Sequence, residues 1–198
     1  MLDSNEAVGL YSAACTICGL FGFLPITILD ACRPVVVEAQ TESEEAFRLR
    51  FRQLTAAILW SCILFSVGVT LLPRLVLFLL YGKEFVAAAT CLQVVVWYTS
   101  FSYLGSAFHL WLVCKNQNKK VMLFSGLGAV FNVIINYLLI PSFGITGAAV
   151  ATLLTQFLTN FLIPLFLPNT REYAVAVIEA FLFRNVQAKD LFSKVTGN

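Results

Sequence analysis

Charge is what this sequence has least of. Only 12% of its 198 residues are Asp, Glu, Lys or Arg, against about 25% in a typical soluble domain. The net charge is +2, and no basic patch interleaves with aromatics, which argues against nucleic acid as a partner. Histidine occurs once, at His109. The apolar segments hold no carboxylate, so His109 has no acid–base partner there. A membrane-bound glycosyl or acyl transferase is therefore disfavoured, and the chain is not expected to be an enzyme. Cys15-Thr16-Ile17-Cys18 has CxxC spacing, but no second Cys or His pair accompanies it, so zinc and redox chemistry fall behind packing. Cys32, Cys62, Cys91 and Cys114 also lie in or at the ends of apolar segments. All six read as small buried packing residues, and no metal or cofactor is expected. The first residues carry Asp3 and Glu6 and no basic cluster, unlike a signal peptide.

What is present is uncharged length. Residues 121–170 contain no Asp, Glu, Lys or Arg, and one membrane crossing needs roughly 20 apolar residues. Pro141-Ser142-Phe143-Gly144 divides the run. Proline cannot continue the helical hydrogen bonds and glycine permits a tight reversal. Two antiparallel transmembrane helices follow, over 121–140 and 145–168. Three further charge-free runs cover 7–29, 53–73 and 85–114. The second is interrupted at Arg74 and then carried on by LVLFLL. The expectation is an all-α, polytopic membrane bundle of about five transmembrane helices. In the first, Ala14, Cys18 and Gly22 form a small-residue stripe for close helix approach, and Pro25 should bend it.

Residues 38–52, EAQTESEEAFRLRFR, are the most polar part. Thr41 and Glu44 have capping-box spacing, Glu44 and Arg48 are i,i+4 partners, and Phe47 and Phe51 share a face. This predicts a short amphipathic helix on the membrane surface. A second interfacial helix is predicted after Pro168, with Val175, Ile178, Phe181 and Leu182 on one face and Glu172 and Glu179 on another. The division is thus a bundle over 1–170, and an interfacial helix with a polar tail over 171–198. Segments 30–52, 115–120 and the C-terminal tail fall on one side and carry 11 of the 13 basic residues. The positive-inside rule makes that side, and the C-terminus, cytoplasmic.

Polar residues inside a bilayer are costly and face other helices or a cavity. Ser125, Gly128, Asn132 and Asn136 share one helical face. Ala148, Thr152, Thr155 and Thr159 form another stripe, with Gln156 and Asn160 beside it. Ser102, Ser106 and His109 form a third. Either they line a hydrated path or they join helices, at about 0.6 kcal/mol per hydrogen bond. Pro141, Gly144, Gly147 and Ala148 read as structural, serving the turn and the close start of the fifth helix. Arg33 is read as ending a helix at the cytoplasmic boundary, where it could meet a phosphate, with Asp30 as a local alternative partner.

Three segments carry a resemblance. EAVGLYSAA at 6–14, LYGKEFVAAATCLQVV at 80–95, and above all NVIINYLLIPSFGITGAAVATLLTQ at 132–156 resemble, in order, the C-terminal lobe of the polysaccharide (oligosaccharidyl-lipid) flippases. That family belongs to the superfamily of multidrug, oligosaccharidyl-lipid and polysaccharide exporters. The resemblance implies a membrane transporter, a fragment or half, that translocates lipid-linked oligosaccharide across the cell (inner) membrane for surface polysaccharide such as lipopolysaccharide O-antigen. It implies membrane lipid and lipid-linked oligosaccharide as partners, together with an N-terminal lobe. On that reading Arg33, His109, Asn132, Asn136, Gln156 and Asn160 are the substrate-path residues. The alternatives are a small-molecule exporter like the MATE proteins, which should need a membrane-buried carboxylate, and a non-transporting subunit or inactive remnant.

Overall fold

The structure, a computed structural model, describes residues 4–182. The predicted tail, with Arg184, Lys189 and Lys194, lies outside the described residues. The described chain is helical and holds no strand. It comprises α1 (Ser4–Phe21), α2 (Phe23–Glu42), α3 (Glu44–Leu71), α4 (Pro73–Tyr81), a 3₁₀ turn (Lys83–Ala88), α5 (Ala89–Cys114) and α6 (Asn118–Phe157). A π turn (Leu158–Leu162), α7 (Ile163–Phe166) and α8 (Arg171–Phe181) follow. Among the described residues, four helical stretches are long and apolar enough to cross a membrane: Asn5–Glu42, Glu44–Leu71, Lys83–Cys114 and Asn118–Phe166.

The last of these folds back on itself. Gly144 has φ 55° and ψ −132°, a conformation closed to most L side chains. Residues on either side of it meet in antiparallel register: Asn132 Nδ2 lies 3.5 Å from Thr155 Oγ1. A straight helix would separate those two by roughly 35 Å. The reversal makes five long apolar arms. Gly147 completes it, since a Cβ there would stand 2.5 Å from the Leu139 carbonyl oxygen. Pro141 lies exposed at the bend, and the Ala148 carbonyl accepts the Thr152 hydroxyl at 3.0 Å.

The polar connector differs from its expectation. Residues 38–52 are not one surface helix. α2 continues through Glu42, the chain breaks at Ser43, and α3 runs unbroken from Glu44 to Leu71. The N-cap is Ser43, whose hydroxyl accepts from the Ala46 N–H at 3.1 Å. Thr41 instead donates back to the Glu38 carbonyl. Packing decides this: Cys32 and Val36 on α2 and Phe47 and Phe51 on α3 are all buried in one core. That buried face keeps the helices growing beyond their apolar spans. Arg33 therefore lies within α2 rather than at its end, with Pro34 inside the same helix.

Two cores result. One gathers Phe47, Phe51, Phe108 and Tyr173. The other packs Leu10, Ala14 and Cys18 of α1 against Leu92 and Val95 of α5, so the small-residue stripe does receive a neighbouring helix. Four cysteines are buried and two half-buried, all unpaired.

α8 runs parallel along α3. Arg48 pairs with Glu172 at 2.7 Å, Arg52 with Glu179 at 2.7 Å, and the Trp60 indole donates to the Ala180 carbonyl. The predicted apolar face, Val175, Ile178, Phe181 and Leu182, is exposed. A second face, Tyr173, Ala174, Val177 and Ala180, is buried, and the glutamates pair with arginines while staying partly exposed. Lys115 joins Glu44 and Glu172. The starts of α3 and α8 and the end of α5 therefore meet at one end of the bundle.

Candidate functional site

Three polar stripes converge on one cavity of ≈ 420 Å³. α5 contributes Ser102, Gly105, Ser106 and His109, at spacings that place them on one helical face. The outgoing arm of α6 contributes Phe124, Ser125, Gly128 and Asn132, and the returning arm contributes Thr152, Thr155 and Gln156. The π turn adds Thr159 and Asn160. Its wider turn keeps the i,i+4 pairs Thr155/Thr159 and Gln156/Asn160 on the same wall, and single π turns inside helices often mark functional sites.

Hydrogen bonds lock the wall. Thr152, Thr155 and Thr159 each donate to the carbonyl four residues back, at 3.0, 2.8 and 2.8 Å. Asn136 Nδ2 donates to Asn132 Oδ1 at 2.8 Å, and Asn132 Nδ2 reaches Thr152 Oγ1 at 3.4 Å. Asn160, 7% exposed, donates to the Phe101 carbonyl at 3.3 Å and to Gln156 Oε1. This ties the π turn to α5.

Of the six predicted path residues, the structure brings four onto the cavity: His109, Asn132, Gln156 and Asn160. Asn136 stands one turn behind and orients Asn132. Arg33 is elsewhere. It lines an adjoining groove of ≈ 540 Å³ with Asp30, Val37 and Leu110, and its guanidinium lies 3.1 Å from the Asp30 carboxylate. Ser106 and His109 line both spaces, so His109 stands between the neutral cavity and the charged groove.

Sequence reasoning missed Gly105. A Cβ there would lie 2.5 Å from Asn160 Nδ2, so this glycine admits the carboxamide to the wall. Its place between Ser102 and Ser106 in the α5 stripe was the available signal. On the other side of α5 lies an apolar cavity of ≈ 300 Å³ lined by Leu59, Leu104, Phe161 and Phe181 among others.

No protein-family model matches the chain, and no solved structure does. Over 89 residues the chain is 30% identical to an uncharacterized membrane protein of Methanocaldococcus jannaschii, a match covering 43% of this chain and 17% of that protein. This is a membrane protein. The chain thus spans about a sixth of the relative's length, and its cavity lies between helices apolar enough to cross a bilayer.

Proposed function

We propose that the chain forms part of a flippase that moves lipid-linked oligosaccharide from the cytoplasmic to the outer leaflet of the cell membrane. One observation carries the reading: polar side chains from three apolar helical arms converge on a single space. Helix-joining hydrogen bonds alone need no cavity. Its volume falls in the range of ligand clefts, about 300–1,000 Å³, and its hydroxyls and carboxamides suit sugar hydroxyls. Arg33 would meet the phosphate at the cytoplasmic mouth, reached past His109. An N-terminal lobe would close the open side. A cation exporter is the weaker reading, because the described residues that line the cavity include no carboxylate.

The test is substitution in a host whose surface glycan depends on the protein, with its partner lobe present. Asn132→Leu and His109→Leu should reduce glycan export while abundance and melting temperature stay near wild type. Unimpaired export from both would remove the cavity from the pathway. A joint fall in abundance and export would make these residues helix glue, since leaving a buried partner unpaired costs about 1–3 kcal/mol.

A further inference from the structure

We infer that the cavity selects an uncharged, polyhydroxylated group, that is, a neutral sugar residue, and turns away sugars bearing a carboxylate or an ammonium. The inference rests on the glycan reading above and narrows it. Its basis is the state of each group on the wall. Among the described residues, no Asp, Glu, Lys or Arg lines the cavity. Asp30 and Arg33, in the adjoining groove, are paired with each other.

The wall's hydrogen atoms are largely committed. The hydroxyls of Thr152, Thr155 and Thr159 donate to their own helix, and Asn160 donates to Phe101 and Gln156. A hydroxyl oxygen has two lone pairs beyond its single donor; Asn132 Nδ2 takes up one on Thr152 and one on Thr155, which leaves a further acceptor position on each and both on Thr159. Gln156 and His109 add N–H donors on the same lining. A sugar hydroxyl both donates and accepts, and meets such a wall fully. A carboxylate only accepts, and would enter a charge-free, bilayer-level space with no cation to offset its lost hydration. An ammonium finds acceptors but no countercharge.

Three benzyl glycosides sharing one aglycone test this: the glucoside, the glucuronide and the glucosaminide, the last kept protonated. Dissociation constants are measured by saturation-transfer NMR on the full chain in lipid nanodiscs. The glucoside should bind about tenfold or more tighter than either charged sugar. Thr152→Val with Thr159→Val, which removes two acceptors at little change in volume, should weaken the glucoside about tenfold at unchanged helicity. A charged sugar binding as tightly as the glucoside overturns the neutral-sugar inference and leaves the glycan reading standing. Wild-type affinity in the double variant overturns the assignment to this wall. Binding of none of the three overturns the glycan reading itself.

Discussion

Replacing Gly144 with alanine tests the hairpin at its hinge. A Cβ at that position meets nothing within 4 Å, so steric crowding from neighbours contributes nothing. The whole effect comes from the backbone, at φ 55° and ψ −132°. An L residue held in a sparsely populated region costs about 1–3 kcal/mol, or a factor of roughly 5–150 in the folding equilibrium. Chirality sharpens the test. For a D residue the mirror-image angles apply, near −55° and +132°, which lie in the open extended region. D-alanine, introduced by semisynthesis, should therefore match or exceed glycine, because it also narrows the unfolded ensemble. The assay is reversible unfolding in mixed micelles or bicelles, with glycine, L-alanine and D-alanine side by side. The expected order is D-alanine at least as stable as glycine, and L-alanine lower by about 1–3 kcal/mol. An L-alanine protein as stable as the glycine form, or equal losses for both alanines, would refute the left-handed hinge.

Two further outcomes follow, one from the packing and one from the distribution of basic residues. Gly105→Ala should displace the Asn160 carboxamide, which a Cβ would approach to 2.5 Å. Overpacking of this kind costs about 1–3 kcal/mol; thermal melting reads it, and an unchanged melting temperature would contradict the close crossing. On a background lacking the native cysteines, a cysteine at 117 should label only from the cytoplasm and one at 83 only from outside. Labelling of both from one side would end the five-arm arrangement.

The long arms were legible because charge-free length at helical rise has few other uses in a chain this apolar. The reversal was legible because Pro141 and Gly144 fall inside such a run. The spacing of Ser102, His109, Asn132 and Thr155 put polar residues on one face of each helix, but spacing within separate helices left open whether those faces line a space or join helices. The polar connector misled for a physical reason. Thr41 and Ser43 are both acceptable caps, and local chemistry does not rank them; buried Phe47 and Phe51 do, through contacts distant in sequence. Arg33 was misplaced because Pro34 reads as a helix stop, yet α2 continues past it with its buried face held in the core. The π turn has no composition of its own, and Gly105, set in the α5 stripe, owes its small size to Asn160, 55 positions later.

The hairpin about Gly144 sets one last constraint, on length rather than identity. Its arms meet residue for residue, Asn132 opposite Thr155, with a single hinge between them. A helix turns about 100° per residue. Inserting or deleting one residue between Asn132 and Gly144 would swing Ser125, Gly128 and Asn132 a quarter-turn away from the cavity and point lipid-facing side chains into it. Many single substitutions on the outer face of that arm leave the register untouched. Along this lineage the arm should drift freely in its letters and keep its count, so gaps among related chains should gather outside residues 125–159.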